Sequence, residues 1–452
     1  MARLCRSPVV AGLRERLVRE VQAPATRHSA ITLAGNLSRF LLGFVTSVLI
    51  ARFLGPAGYG LIALVSLVLA VADTVGDFGL TYTAVRALAR VLGPEPERAR
   101  RLARGFFSLA VITNVIAAVV GILLAGPIAR VVLDRPEAEP YLRLAMIGLI
   151  AVAGNGFIVA VLQSMRRFGQ LAGLQILSAL TYLIGVFALV AANRLDVASV
   201  ILLGAVNPLV GFVVGLRFLP PGFFSFGEAL ARPSRQAWRE LAAFSKWLWV
   251  SAILSLLAAQ LDLVMLSRWT PAAAVGVYAL AFNLAMKMDI VSQTRLTVLL
   301  PGVSSLRTST EMRTFVVRSL KRSAVLIAGS ALFVPFFRPF IVTFYGPDYA
   351  DAVKALLVLT LVVLFDLATT PVILLGFPLE QPRALAASDA VRLATLVASG
   401  WLLIPTFGPV GAALARLAAR VAGALFMVTL IALRLRKMSR SSLLSSASAP
   451  GS

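Results

Sequence analysis

Apolar runs of about 20 residues recur along almost the whole chain and constrain its fold more than any other feature. An α-helix needs a run of about this length to cross the hydrocarbon core of a bilayer. Of the 452 residues, 59% are hydrophobic and only 14% are charged, whereas soluble domains usually carry about a quarter charged residues. The sequence therefore predicts an all-α membrane protein with about 12 transmembrane helices.

The predicted spans form two sets of six, separated by the longest polar break in the chain. The first set covers approximately residues 30–51, 61–83, 105–126, 142–163, 171–192 and 198–217. The second set covers approximately residues 245–267, 277–300, 322–344, 353–376, 384–404 and 409–433. We therefore expect a basic cytoplasmic tail at 1–28, an N-terminal six-helix lobe at 29–217, a cytoplasmic linker at 218–243, a C-terminal six-helix lobe at 244–434 and a disordered cytoplasmic tail at 435–452.

An internal repeat supports this division into two lobes. A shift of 216 residues aligns spans one and two with spans seven and eight without a gap. The polar and glycine matches are Arg52/Arg268, Gly60/Gly276 and Asp73/Asp289. Because six spans separate the copies, both have the same orientation and the predicted repeat is parallel. Transporters with such repeats commonly bind substrate between the two halves, near the midplane.

The net charge of +23 comes from arginines and lysines that lie between the apolar runs. They concentrate in alternate loops, most densely at residues 86–104, 307–322 and 434–440. By the positive-inside rule, these loops and both termini are cytoplasmic, which predicts a multi-pass protein of the cell (inner) membrane. The same residues are expected to attract anionic membrane lipids. No nucleic-acid-binding signature accompanies them, so no nucleic-acid partner is predicted.

The sequence also argues against catalysis. Cys5 is the only cysteine and His28 the only histidine, so an intramolecular disulfide, a thiolate metal site and a histidine-based catalytic site are excluded, and no cofactor is predicted. A membrane glycosyltransferase or polysaccharide polymerase would need a sizeable outside loop. The largest outside links, near 127–141 and 344–353, are too short for one. We therefore do not expect an enzyme.

Polar side chains within the predicted spans are the candidate functional residues, because each charged group at membrane depth costs at least about 2.5–3.5 kcal/mol. The candidates for substrate binding are Arg39, Lys287, Arg295, Arg416 and Arg420, with Asn36 and Asn283. The candidates for coupling or gating are Asp73, Asp289 and Asp262. Together the cations predict a positive, hydrated lumen that suits a phosphate-bearing substrate. The alternative is that they form ion pairs between helices or reach towards the membrane surface.

Several short motifs resemble the polysaccharide and oligosaccharide flippase family. They include ARFLGPAGYG at 51–60, DFGL at 77–80, FYGPDY at 344–349 and IPTFG at 404–408. They occur in the family's order, and the resemblance covers roughly residues 30–430. The family belongs to a superfamily that also contains lipid II flippases and multidrug and toxic-compound extrusion transporters.

This resemblance implies a two-lobed bundle that alternates between inward-open and outward-open states. It implies a lipid-linked oligosaccharide substrate, typically on undecaprenyl pyrophosphate, that is flipped from the cytoplasmic to the outer leaflet for cell-surface polysaccharide biosynthesis. A coupling ion, either proton or sodium, and a polysaccharide polymerase or glycosyltransferase as partner are also implied. The alternative function is export of a drug or metabolite, for which the same architecture would carry an acidic, cation-binding cavity.

Overall fold

A computed structural model describes residues 24–221, 223–224, 249, 252–253, 256–288, 309–373, 375 and 382–447. Every regular element in these ranges is helical, which confirms the predicted all-α class. The predicted linker at 218–243 and tail at 435–452 lie largely or partly outside the described residues, so their roles stay predictions.

The described residues divide into two compact units. Unit 1 contains those within Met1–Phe53, Val65–Ala129 and Pro136–Leu257. Unit 2 contains those within Leu54–Leu64, Arg130–Arg135 and Ala258–Ser452.

The helices of the first half of the chain follow one another with short connections. They are α1 (Pro24–Asp77), α2 (Leu80–Val91), α3 (Pro96–Pro127), α4 (Glu139–Ile147), α5 (Leu149–Ser164), α6 (Phe168–Ala191) and α7 (Val197–Gly215). The side chain of Asp196 begins α7 by accepting a hydrogen bond of 2.8 Å from the Ser199 backbone N–H. Hydrogen bonding with the Ser199 side chain, followed by this backbone bond, lowers the pKa of Asp196.

The second half contains a helical segment at 256–269 and then longer helices. They are α8 (Ala272–Met288), α9 (Ser309–Ala331), α10 (Phe337–Tyr345), α11 (Ala352–Ile373) and α12 (Pro382–Ala447). In unit 2, the Ser323 hydroxyl of α9 donates a hydrogen bond of 3.0 Å to the Leu367 carbonyl oxygen of α11.

Helix α1 is two helical segments that meet at Gly55. A straight helix of 54 residues would be about 80 Å long, more than twice the thickness of the hydrocarbon core. At Gly55 the backbone leaves the helical region, with φ 65° and ψ 178°. A positive φ favours glycine, and Pro56 follows it. The break lies where the sequence predicted a short link between spans one and two.

Helix α12 folds back on itself at Gly408, where φ is 54° and ψ is −126°. The Ser399 hydroxyl lies 3.4 Å from the Ala415 carbonyl oxygen, and the Ser388 hydroxyl donates to the Gly423 carbonyl at 3.1 Å. In a straight helix, residues 16 apart would be separated by about 24 Å. The chain therefore forms an antiparallel helical hairpin, with its reversal between the predicted spans 384–404 and 409–433.

By length and composition, the described part of the chain has seven helices that could cross a membrane, or eight if a bent pair counts as one span. The bent pair joins Pro136–Ile147 to Leu149–Ser164 at 41°. The predicted number of about 12 is therefore not confirmed. Two of the seven, Leu37–Asp77 and Ala387–Ala432, contain the breaks at Gly55 and Gly408. The predicted spans 245–267 and 277–300 lie partly outside the described residues.

An aromatic cluster forms the centre of the apolar packing in unit 1. Phe107 of α3 packs edge-on against Phe157 of α5 at 5.1 Å between ring centroids, and stacks on Phe212 of α7 at 5.9 Å. Phe224 packs edge-on against Phe107 at 5.1 Å. These contacts fix α5 between α3 and α7, and the polar cavities of unit 1 lie beside α5.

Candidate functional site

A polar cavity of about 300 Å³ lies beside α5 in unit 1, and we call it the Arg39 cavity. Its polar lining residues come from α1, α5, α6 and α7. They are Arg39, Thr46, Asn155, Gln175, Ser178, Tyr182 and Asn207. Arg39 is exposed, and the hydroxyl and amide groups surround the opening with both donors and acceptors. The cavity can therefore bind an anion together with neutral polar groups.

Close helix packing positions the amides of the Arg39 cavity. A Cβ atom at Gly211 would overlap the Asn155 side-chain oxygen and lie 3.3 Å from the Ser178 hydroxyl. The glycine thus lets both polar groups approach the backbone of α7. The Thr181 hydroxyl lies 3.1 Å from the Asn207 side-chain oxygen and 3.0 Å from the carbonyl oxygens of Leu177 and Ser178. The Asn207 amide is therefore within hydrogen-bond distance of a hydroxyl of α6.

A second cavity of about 430 Å³ in unit 1 is acidic, and we call it the acidic cavity. Its polar lining residues are Asp73, Thr74, Asp77, Thr81, Tyr82 and Asn114. Asp77 accepts a hydrogen bond of 3.2 Å from the Thr81 backbone N–H and a shorter one from the Thr81 hydroxyl. Two carboxylates one helical turn apart repel each other, so this cavity favours a cation.

Arg416, a predicted substrate-binding residue, is buried in unit 2 beside Asp262, a predicted coupling residue. Its Nε and Nη2 atoms lie 2.7 and 2.8 Å from the two carboxylate oxygens, a bidentate pair. Nη2 also donates to the Ala259 carbonyl at 2.5 Å, and the Tyr278 hydroxyl donates a short hydrogen bond to Asp262. The guanidinium lies 4.5 Å from the Phe282 ring centroid. This is the interhelical ion pair that stood as the alternative to a binding role.

Arg420 has a looser pair in unit 2. Its guanidinium lies 3.4 Å from the Asp366 carboxylate, and the side chains are 33% and 21% exposed. Both groups therefore stay accessible to water or to a ligand. The predicted binding role of Arg420 is compatible with this arrangement and stays a prediction.

Of the remaining predicted residues, the two whose side chains the structure describes, Asn283 and Lys287, line neither cavity. Asn283 is exposed on α8, and its amide donates a hydrogen bond of 3.4 Å to the Tyr59 hydroxyl. Lys287 is half-buried near the end of the same helix. Asp289, Arg295 and the side chain of Asn36 lie outside the described residues.

Sequence reasoning missed most of the polar residues that line the cavities. Asp77 could have been found, because it lies one turn after Asp73 and therefore on the same helix face. Asn114, Asn155 and Asn207 each stand as a single amide within an apolar run. A neutral polar residue in a predicted span is itself a signal, and the sequence prediction applied it to Asn36 and Asn283 but not to these three residues.

The helical architecture and the polar cavities within its apolar helices define a multi-pass membrane protein. Residues 25–307 match the family described as "Polysaccharide biosynthesis protein". The chain belongs to this family, which confirms the resemblance seen in its motifs.

Two curated relatives are similar to this chain. The lipopolysaccharide biosynthesis protein WzxC of Escherichia coli is 23% identical over 60% of this chain, and the match spans 52%, about half, of WzxC. The probable flippase AglR of Haloferax volcanii is 22% identical over 90% of this chain and 83% of its own length. A flippase, as AglR is named, is a transporter and not an enzyme, in agreement with the sequence prediction.

Two solved structures share the fold. An inward-facing multidrug resistance MATE family transporter of the MOP superfamily has a TM-score of 0.70 at 13% identity, covering 91% of this chain and 99% of that one. The lipid II flippase MurJ, in an inward closed conformation, has a TM-score of 0.66 at 15% identity, covering 92% and 91%. Both confirm the class of fold.

Proposed function

We propose that this protein is a flippase that moves a lipid-linked oligosaccharide from the cytoplasmic to the outer leaflet of the cell membrane. The observation that carries the proposal is the Arg39 cavity, a polar site built between apolar helices of unit 1. The names of AglR and MurJ, both flippases, support the same function. In this proposal the carrier is undecaprenyl pyrophosphate, and the protein works by alternating access with both termini in the cytoplasm.

The chemistry of the Arg39 cavity fits the polar end of such a substrate. The Arg39 guanidinium is a bidentate partner for a phosphate group. Asn155, Gln175 and Asn207 supply amides that donate to and accept from sugar hydroxyls. A volume of about 300 Å³ is at the lower end of small-molecule sites, so it admits the phosphate and its first sugar. Lys287 and Arg295 stay further candidates for contact with the anionic group.

Replacing Arg39 tests this proposal. A hydrogen bond to a charged group is worth about 1.5–3 kcal/mol, so we expect Arg39→Ala to slow flipping by about 10–150-fold. Arg39→Lys should keep part of the activity, because it keeps the charge and loses only the bidentate geometry. The measurement is transfer of a pyrophosphate-linked oligosaccharide lipid between leaflets of proteoliposomes, at matched protein content.

The matched control is Arg194→Ala, because Arg194 is exposed in the connection between α6 and α7 and lines neither cavity. It should flip substrate at the wild-type rate. If Arg39→Ala also flips substrate at the wild-type rate, the Arg39 cavity is not the binding site.

Export of a cationic drug is the second candidate, and the acidic cavity is the observation that favours it. Under that function, Asp73→Asn would abolish resistance to lipophilic cations in cells. Loss of surface polysaccharide in a strain lacking this protein, with unchanged drug sensitivity, separates flipping from export.

A further inference from the structure

Helix α1 presents a glycine to the Arg39 cavity between two polar residues. Arg39, Gly43 and Thr46 all line the cavity, and their spacing of four and then three residues places them along one face of the helix. Arg39 is exposed, whereas Thr46 is only 4% exposed. This face of α1 therefore leads from an accessible cation to a buried inner end, with Gly43 between the two.

A side chain at position 43 would have room. Among the residues that the structure describes, a Cβ atom built at Gly43 meets no atom within 4 Å beyond the neighbouring backbone of its own helix. Gly211, on the other side of the cavity, differs, because a Cβ atom there would overlap the Asn155 side-chain oxygen. Helix packing thus explains the glycine at 211 but not the one at 43. Because Gly43 lines the cavity, a side chain there would occupy space that is open to a ligand.

The other helices around this space supply neutral hydrogen-bonding groups. Asn155 comes from α5, Gln175 and Ser178 from α6, and Asn207 from α7. Side-chain amides and hydroxyls both donate and accept hydrogen bonds, as sugar hydroxyls do. The space beside Gly43 is therefore bounded by a bare stretch of α1 and by groups that can bind a polar ring.

The charge of the lining restricts the kind of sugar. Among the described residues that line the cavity, Arg39 is the only one with a full charge at neutral pH. When Arg39 binds the phosphate, a carboxylate on the next sugar finds no second cation and is repelled by the phosphate. An uncharged sugar leaves no charge without a partner.

We propose that Gly43 is a specificity-determining residue, because its missing side chain leaves the space for the sugar next to the phosphate, and that this sugar is uncharged. Gly43 lies about 6 Å beyond Arg39 along the helix axis, so a sugar bonded to a phosphate at Arg39 reaches it. This role rests on the proposed function, in which Arg39 binds the phosphate, and adds that position 43 limits the size of the sugar.

Binding of two lipids to Gly43→Leu tests this role. One probe is undecaprenyl pyrophosphate that carries a trisaccharide of uncharged hexoses, and the other is undecaprenyl pyrophosphate without a sugar. Leucine should weaken binding of the trisaccharide lipid by at least about fivefold, because it fills the space that the sugar needs. The sugar-free lipid should bind as it does to wild type, because Arg39 is unchanged. The measurement is titration of the purified full-length protein with each lipid, read by native mass spectrometry.

Gly173→Leu is the matched control. Gly173 is also a helical, exposed glycine of unit 1, and in the described part of the chain an added Cβ meets no atom within 4 Å, but Gly173 does not line the cavity. It should bind both lipids as wild type does. Gly43→Ala adds a single methyl group and should weaken binding of the trisaccharide lipid less than Gly43→Leu. Arg39→Ala should weaken binding of both lipids.

The outcomes separate this role from the proposed function. Equal binding of the trisaccharide lipid by wild type and Gly43→Leu would overturn the role of Gly43 and leave the flippase proposal standing. Equal loss of both lipids in Gly43→Leu would also overturn it, because the effect would not concern the sugar. If wild type binds neither lipid, the proposed function is wrong, and this role with it.

A third lipid tests the charge of the sugar. Its trisaccharide has a hexuronic acid next to the phosphate, and it should bind wild type more weakly than the neutral trisaccharide lipid does. Equal binding of these two lipids would contradict an uncharged sugar at this position.

Discussion

Arg416 and Asp262 form a buried ion pair, in which each charge is stabilised by the other and not by water. Their side chains are 8% and 1% exposed, and three hydrogen bonds from Arg416 reach Asp262 and the Ala259 carbonyl. Removing one member of a buried pair typically costs about 3–5 kcal/mol, because the other charge stays buried. We therefore expect Arg416→Ala to reduce the amount of folded protein in the membrane, measured by fluorescence-detected size exclusion and by Tm.

The double variant Arg416→Ala/Asp262→Ala should recover part of the lost stability, because no buried charge is left unpaired. Arg420→Ala is the matched comparison. Its partner Asp366 is 21% exposed, so water can solvate the carboxylate and the loss should be smaller. Normal abundance of Arg416→Ala together with lost flipping would instead restore the substrate-binding role predicted from the sequence.

The sequence identifies these residues but not their partners. A charged residue in an apolar run is visible without a structure, and Asp262 and Arg416 were both found in this way. They are 154 positions apart, so only the packing of the helices brings them together. Asn114 carries no charge, so the charge pattern does not reveal it, and its burial is visible only in the structure.

At the scale of elements, Gly60 of α1 and Gly276 of α8 are in backbone contact within unit 2. A Cβ atom at Gly60 would overlap the Ala272 carbonyl and lie 2.8 Å from the Gly276 nitrogen. A Cβ atom at Gly276 would overlap the Pro56 carbonyl. Because backbone cannot move aside as a side chain does, Gly276→Ala should destabilise this crossing by about 1–3 kcal/mol.

Thermal unfolding in detergent measures this effect, with Gly329→Ala as the control. Gly329 is also helical and in unit 2, but an added Cβ meets no atom within 4 Å. Alanine there should be neutral or stabilise the helix by up to about 1 kcal/mol. Equal Tm values for the two variants would show that a Cβ atom at Gly276 fits without destabilising the crossing, which would contradict the prediction.

The sequence predicts the breaks in the helices better than their contacts. Gly55 and Gly408 each precede a proline, and both breaks fall between predicted spans. The repeat also paired Gly60 with Gly276, although only as equivalent positions. An internal sequence repeat predicts that two segments have the same local structure. It does not predict whether the two segments are in contact. Their contact follows from packing that the alignment does not contain.

At the scale of the whole molecule, segments that the charge pattern places outside are joined to one another within unit 2. Arg135 donates a short hydrogen bond to the Thr270 carbonyl, and Arg268 donates to the Val131 carbonyl at 3.0 Å. These contacts join the link at 127–141, predicted to be outside, to the link between predicted spans seven and eight, which alternation also places outside. Loops on the same side of a membrane can meet, so this grouping is compatible with the predicted topology, which stays a prediction.

Labelling of single cysteines tests the orientation. Cys5 is the only native cysteine, so Cys5→Ser gives a background without thiols. Cysteines at Glu137 and Asp348, both exposed, should react with an impermeant maleimide in intact cells. Cysteines at Glu97 and Thr310, also exposed, should react only after permeabilisation. Their loops are rich in arginine, and the positive-inside rule therefore predicts that they are cytoplasmic. Each variant must retain wild-type abundance for its labelling to count. Reaction at position 97 in intact cells would invert the predicted topology, and with it the direction in which the proposed flippase loads its substrate.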